Sequence, residues 1–451
     1  MLAGALASFL LVLPSHGQSA EDSTAAALAA HPVVITLQEA IRLAESNEPN
    51  FAAARAASRS AALDRSIALA GLLPNARFYS QSIYTQPNGL SAEGGEGVTS
   101  PNPKFVANDS RPREYMAQGI VDETLSFAGP AALRHADAAA AMASAEQEIA
   151  RRGLVATVTG MFYSSLAADH KLAVAEKARQ EAAGFTRLTT EREQQREAAH
   201  ADVVKAQLVE QQRDRDLADA QLAAEKARLD LGVLLFADPR TPYSLQAAAP
   251  SSLPAQQEVE QAAAKNNPEL KSALASLDAS RADVQAAWGA MLPSVGLNLT
   301  YGIDANEFAM NGPLTPAGLR ARNLGYSTSV TLNLPVWDWL ASEHKVKQSQ
   351  IRRDAAQVAL TNAQRRLIAQ LQEAYDEARA ARDQLESLDN SAATAEESLR
   401  LTRLRYSAGE ATVLEVVDAE AAYVTAEDAR EDGRVRYETA RAALETITGT
   451  M

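Results

Sequence analysis

The chain has 451 residues, a formal net charge of −14 and no cysteine. An acidic balance without Lys/Arg clusters excludes the electrostatics of nucleic-acid binding. The lack of cysteine removes disulfides, thiolate metal sites, thiol nucleophiles and a lipid-acceptor cysteine.

In chain order, the first segment reads MLAGALASFLLVLPSHGQSAED. Its apolar run, Leu2 to Pro14, is too short to cross a bilayer. Ser15 and Gly17 then supply small residues for a cleavage site, so residues 1–20 read as a secretory signal peptide. No later apolar run has the length of a transmembrane helix. An exported protein is expected, and any membrane span must use strands.

The rest reads as a tandem repeat. NEPNFAAARAASRSAALDRSIALAGLLP (47–74) aligns without a gap on NNPELKSALASLDASRADVQAAWGAMLP (266–293). Each begins Asn-x-Pro, suited to a helix start, and ends Leu-Pro, which stops a helix. RLTTEREQQREAAHADVVKAQ (187–207) aligns in turn on RLTRLRYSAGEATVLEVVDAE (400–420). The halves are 21–236 and 257–451, joined by a Pro-rich segment over 237–256. Each half is expected to carry a short helix (36–46; 257–266), an Asn-x-Pro helix (48–73; 267–292) and two strands around a polar loop. A very long helix (131–190; 339–405), a turn and a final helix (199–235; 411–447) follow.

The second-half strands alternate with period two. Over 295–303, Val295, Leu297, Leu299 and Tyr301 share one face against Gly296, Asn298 and Thr300. Over 326–336, Val330, Leu332 and Leu334 oppose Ser329, Thr331 and Asn333. Each run is near the length that a tilted strand needs to cross a bilayer. The first-half strands, near 76–85 and 115–126, alternate less well and are assigned by analogy with the second copy. Outer-membrane strands are expected, with long polar loops such as 86–114. Four strands cannot close a barrel, so copies of the chain must share one; two copies and three are both open at this point.

From Trp339 to Arg405 there is neither Pro nor Gly. A thin apolar stripe (Val358, Leu367, Leu371, Tyr375, Leu385, Leu388) suits side-by-side packing of helices. At 405–420 the chain reads RYSAGEATVLEVVDAE. Gly409 can end a helix in the left-handed conformation. Thr412 restarts it, and Glu415 and Asp418 project on one face at i and i+3. Around an oligomer axis that face would become a carboxylate ring. In the first-half echo Gln195 and Arg196 stand at Ala408 and Gly409, Asp202 stands at Glu415, and Lys205 replaces Asp418.

Together the repeat, the Asn-x-Pro…Leu-Pro helix, the strand pairs and the tip motif resemble the TolC family of outer-membrane efflux proteins. Arg405, Tyr406, Gly409, Thr412, Glu415, Val416, Asp418 and Ala419 fill the family's tip pattern. LPVWDW (334–339) resembles its strand exit, with Trp339 and Leu340 where glycines are usual.

The resemblance implies a mainly α fold with a small β part. It implies a homotrimer with a twelve-stranded barrel in the Gram-negative outer membrane and a helical tunnel through the periplasm. Expected partners are a periplasmic adaptor (membrane fusion protein), an inner-membrane transporter of RND, ABC or MFS type, and outer-membrane lipid. Glu415, Asp418 and Asp202 would line the periplasmic aperture, and Arg405, Tyr406, Gly409, Thr412, Gln195 and Arg196 would form the turns that meet the adaptor. No cofactor or metal is implied. The competing reading is a periplasmic coiled-coil adaptor or scaffold. An enzyme is not expected, because the sequence has no nucleophile elbow, zinc-protease, phosphate-loop or dinucleotide motif.

Overall fold

The computed structural model describes residues 33–84, 113–247, 252–305, 307–314 and 316–449. The expected signal peptide (1–20) and nearly all of the polar loop 86–114 lie outside the described residues. In order, the elements of the first half are β1 (Val33–Thr36), α1 (Leu37–Asn47), α2 (Pro49–Ala70), β2 (Asn75–Tyr84), β3 (Arg113–Leu125), α3 (Ala128–Gln194), α4 (His200–Leu235) and β4 (Tyr243–Gln246). Then come α5 (Gln256–Asn266), α6 (Pro268–Gly289), β5 (Ser294–Ala305), β6 (Asn311–Leu314), β7 (Arg320–Arg322), β8 (Leu324–Asn333), α7 (Ala341–Ser407) and α8 (Val413–Thr448). The fold is mainly α with a small β part. Among the described residues no helix is long and apolar enough to cross a membrane. At 67 residues each, α3 and α7 have a contour length of about 100 Å.

The chain divides into two compact units. One takes in Ala53–Ile149 and Asn267–Ile368 and holds a four-stranded antiparallel sheet, order β2-β3-β5-β8. Its register sorts the side chains. Val295 pairs with Leu332, Leu297 with Val330, Tyr301 with Tyr326, and Leu299 with Val121 and Thr328, so apolar groups run across one face. That face is in the open: Tyr326, Val330 and Leu332 are 81%, 68% and 68% exposed. The other face carries Asn298, Thr300, Ser327, Ser329 and Thr331, with Arg77 and Asp122 ion-paired at 3.2 Å. β2 and β8 are the sheet's edges. Beside the sheet, α2, α3 and α6 are joined by Arg65 to Asp137, Arg134 to Gln285, and His135 to Asp283 at 3.5 Å. Small buried residues on α6 (Ala275, Ala282, Ala287) allow close helix approach.

Three details of this unit depart from the sequence expectation. Strand β8 stops at Asn333, so Leu334 lies just outside it; Pro335 has no N–H to continue the ladder. Helix α7 starts at Ala341 and not at Trp339, because Trp339 and Leu340 both take positive φ. Val358, placed on the apolar stripe, is exposed, whereas Leu367 is buried.

The second unit takes in Met1–Ala52, Ala150–Asn266 and Ala369–Met451. Within the segment read as a linker, β4 pairs in parallel with β1. These four-residue strands were not foreseen. They cover a core of Ile35, Phe162, Leu231, Leu235 and Tyr243. Tyr243 is pushed to a pKa of about 12, chiefly by burial, and its hydroxyl donates to the Arg228 carbonyl at 2.7 Å. Helix ends here are capped by side chains from elsewhere in the fold, which satisfies their spare carbonyls. Asn47 Nδ2 donates to the Leu235 carbonyl at 2.6 Å, and Arg152 donates to the Thr446 and Asn266 carbonyls at 3.0 and 3.3 Å. Gly433 of α8 leaves room for the Leu388 side chain of α7, whose Cδ1 would lie 2.5 Å from a Cβ at that position. On α8, Glu420, Glu427, Glu431 and Glu438 are all buried, and each is met by an arginine: Arg403, Arg430, Arg430 with Arg434, and Arg441.

Candidate functional site at the two helical turns

The two long helices end in the same hydrogen-bonded turn. After α7, Gly409 N–H donates to the Tyr406 carbonyl (3.0 Å) and Glu410 N–H to the Arg405 carbonyl (2.8 Å). After α3, Arg196 N–H donates to the Glu193 carbonyl (2.8 Å) and Glu197 N–H to the Arg192 carbonyl (2.8 Å). The left-handed residue is Gly409, at φ 80°, in one turn and Arg196, at φ 66°, in the other. The glycine-free turn therefore forms, with Arg196 strained in Gly409's place. Gln195 and Arg196 are both exposed.

The following helices start in unequal ways. Thr412 caps α8 with a reciprocal box: its hydroxyl accepts from Glu415 N–H (3.3 Å), and its own N–H donates to Glu415 Oε1 (3.2 Å). α4 has only half of that box. Asp202 accepts from Ala199 N–H at 3.3 Å, but Ala199 has no side-chain oxygen to return the bond.

Glu415 is also paired with Arg405 at 3.3 Å. The Thr412 N–H first, with the Thr412 hydroxyl and Arg405, holds its carboxyl below the usual glutamate range. Within one chain Glu415 is thus engaged in closing its own turn. Asp418 is exposed and has no ion pair among the described residues, and Lys205 is likewise exposed.

Tyr406 is buried with Val413 and Val416, and Phe185 packs on it at 5.0 Å between ring centroids. Its hydroxyl lies 3.4 Å from Thr189 Oγ1. Arg192 places its guanidinium 4.7 Å from the Tyr406 ring centroid and donates to the Tyr406 and Ser407 carbonyls at 3.0 and 2.9 Å. One side chain from the first turn thus caps the helix that leads to the second. Further along, Arg403 bridges Glu181 of α3 and Glu420 of α8. Burial raises the Glu420 carboxyl; Arg403 and Arg213 pull it down, and Glu181 pushes it up. Glu420 Oε2 and Arg213 Nε are buried without a hydrogen-bond partner.

Arg192, Phe185, Thr189, Arg403, Glu181 and Glu420 escaped the sequence reading. The one available signal was that Arg192 aligns on Arg405 in the internal repeat. Glu415, Asp418, Arg405, Tyr406, Gly409 and Thr412 lie within one turn and the start of its helix, and Gln195, Arg196 and Asp202 lie at the other. The strand residues Val295, Leu297, Leu299, Tyr301, Val330 and Leu332 all lie in β5 and β8. Among the described residues no group of His, Cys, Asp and Glu has a metal-binding arrangement.

Residues 259–450 match the family described as Outer membrane efflux protein. The chain is 27% identical over 418 residues to the pyoverdine export outer membrane protein OpmQ of Pseudomonas putida, covering 87% of this chain and 81% of that one. It is 26% identical over 309 residues to protein CyaE of Bordetella pertussis, covering 67% of this chain and 63% of CyaE, just under two thirds of that protein's length. In fold it is similar to the CmeC outer membrane channel of Campylobacter jejuni, with a TM-score of 0.73, 16% identity, and coverage of 92% of this chain and 85% of that one. The matched family and OpmQ are described as outer-membrane efflux and export proteins, and the fold is that of an outer membrane channel.

Proposed function

We propose that the chain is a member of the TolC family of outer membrane efflux proteins, to which its matches point, and that three copies form one channel-tunnel that passes substrates outward without chemistry of its own. The observation that carries the proposal is the sheet. It offers an apolar, exposed face on one side and a hydroxyl- and amide-rich face on the other, and it ends in the two edges β2 and β8. Open edges are not tolerated in lipid, so the edges must meet those of other copies. Four strands from each of three copies give a twelve-stranded barrel wide enough for a wet lumen, whereas eight strands would be filled by side chains.

The protein sits in the outer membrane and extends into the periplasm. Its partners are a periplasmic adaptor and an inner-membrane transporter of RND, ABC or MFS type, which supplies the energy and selects the substrate. The helical turns form the periplasmic aperture. Asp418 gives that aperture its free carboxylate; Glu415 and Asp202 stand nearby and close their own turns, and Arg192 on Tyr406 holds the two turns together.

Outer membranes carrying the full chain, extracted in mild detergent, test the assembly. A heat-labile species of three protomers that conducts ions in planar bilayers is expected. A soluble periplasmic monomer or dimer would sink the proposal.

A further inference from the structure

The four residues after Val336 are Trp337, Asp338, Trp339 and Leu340, and they do something costly. Trp339 and Leu340 lie in succession at φ 57° and 65°, where the Cβ of an L-residue crowds the following carbonyl. Glycine would fit both positions. Within a single chain, no burial against the described residues offsets the crowding: Val336, Trp337, Trp339 and Leu340 are 84%, 69%, 82% and 50% exposed. The indoles of Trp337 and Trp339 meet edge to face at 5.7 Å and 68°, so they stand out together. Asp338 accepts from Ser342 N–H at 2.8 Å, which fixes the finger to the start of α7.

The finger lies at a defined level of the sheet. In the antiparallel register, Ser294 pairs with Asn333 and Leu125 with Val295, so the ends of β3 and β8 and the start of β5 share one end. Exposed Leu125 and Phe127 lie at that same end. Tyr326, also exposed, lies at the other end, near the start of β8. Between them the face carries Leu297, Leu299, Val330 and Leu332, with Glu123 beside Leu297 and Thr328 beside Leu299. A band of aliphatic side chains bounded by aromatic ones is the profile of a strand array matched to a bilayer. Lys345 and Lys347, both exposed in the first turns of α7, suit the phosphates of a headgroup layer.

We propose that residues 336–340 are an interfacial anchor, with Trp337 and Trp339 seated at the phospholipid headgroup–acyl boundary of the leaflet on the helix side of the sheet. The occupant is lipid, and the inference rests on the reading of the sheet as membrane-spanning. Tryptophan is the side chain best suited to that layer, with an apolar ring and one N–H donor. Placing it here explains why two residues hold an angle that glycine would hold without crowding.

The chain has three tryptophans, Trp288, Trp337 and Trp339. The variant Trp288→Phe/Trp337→Phe therefore leaves Trp339 as sole reporter in the full-length assembly. In phosphatidylethanolamine–phosphatidylglycerol vesicles, its emission should fall by roughly half with lipids brominated next to the headgroup and little with lipids brominated at the chain end. Emission that is red-shifted and quenched by acrylamide alone overturns the anchor. So does emission that is blue-shifted yet unquenched by either lipid, which would put Trp339 against protein.

Val330→Trp in a background with all three tryptophans changed to Phe separates the two readings. If it is quenched by chain-end bromination while Trp339 is not quenched by either lipid, the anchor fails and the membrane sheet stands. If neither responds, both fail. Trp339→Gly/Leu340→Gly suits both backbone angles and should fold. It is expected to leave the membrane at lower detergent concentration, and unchanged extraction counts against the anchor.

Discussion

Arg192 and Tyr406 belong to different long helices, yet the Arg192 guanidinium lies over the Tyr406 ring at 4.7 Å and donates to the Tyr406 and Ser407 carbonyls. The contact joins a cation–π interaction to the capping of a helix C-terminus, two modest terms acting through one side chain. Arg192→Ala should therefore loosen both turns together. In a double-mutant cycle with Tyr406→Ala, a coupling of about 1 kcal/mol is expected. In planar bilayers Arg192→Ala should raise the conductance of the closed channel several-fold. Conductance and coupling both unchanged would show that the contact holds nothing shut.

The two turns share their hydrogen bonds but not their left-handed residue, so substitutions at equivalent places should have opposite signs. Gly409→Ala puts a Cβ at φ 80° and should destabilise its turn by about 1–2 kcal/mol. Arg196→Gly relieves the same crowding and should be neutral or stabilising by about 0.5–1 kcal/mol, after the entropy that glycine adds to the unfolded chain. The half-made cap behind Arg196 gives a parallel case. Ala199→Ser supplies the missing acceptor and should stabilise the start of α4 by about 1 kcal/mol, and Thr412→Ala should cost α8 a similar amount. Hydrogen exchange of the turn amides reads each change locally. Faster exchange in Arg196→Gly than in the parent would contradict the strain account.

Glu420 makes the packing of this unit pH-dependent. It faces Arg403 of α7, Glu181 of α3 and Arg213 of α4, and burial raises its carboxyl above the usual glutamate value. A carboxyl raised on folding contributes stability below its unfolded pKa, and that contribution is lost as the pH climbs through the folded pKa. Asp428 and Glu445, both raised chiefly by burial, act in the same direction. Glu415 is lowered and acts oppositely: its contribution is present above the unfolded value and lost as the pH falls through the folded one. From neutral pH down to the unfolded glutamate value, near 4.3, the helices around Glu420 should therefore resist exchange better. Glu420→Gln mimics the protonated form. It should remove part of this pH dependence, with its largest stabilisation at neutral pH and none in acid. A larger pH dependence in the variant would reverse the assignment.

The strands were legible because apolar and polar residues alternate along them, and period two assigns them to opposite faces. Leu297-Asn298-Leu299-Thr300-Tyr301 shows it directly, and the register lays Leu297 beside Val330 on the same face. The second turn was legible because Gly409 and Thr412 are residue types that a stop and a restart demand. The Arg192–Tyr406 contact was not, since the partners are far apart in sequence and an arginine on a helix reads as solvated charge. The buried glutamates of α8 were missed for the same reason: composition does not distinguish a solvated Glu from one held by Arg403 or Arg441. β1 and β4, at four residues each, are too short to show a period. Trp339 and Leu340 broke a glycine expectation, and only the backbone angles disclosed what that costs.

The acids at the second turn should separate by function when mutated one at a time. Asp418 is exposed and has no ion pair among the described residues, so in the proposed aperture its charge would face permeant ions directly. Asp418→Asn should lower cation selectivity and weaken block by divalent cations, while leaving exchange at the turn amides unchanged. Glu415 spends its carboxylate on the Thr412 N–H and on Arg405. Glu415→Gln keeps an oxygen for the Thr412 N–H and should leave the turn largely intact with a modest loss of selectivity. Glu415→Ala should speed amide exchange at the start of α8 as well. Reversal-potential measurements in a cation gradient, paired with exchange on the same variants, check both halves. If Glu415→Gln abolishes selectivity while Asp418→Asn leaves it untouched, the free carboxylate of the aperture is Glu415, and the cap is the lesser of its roles.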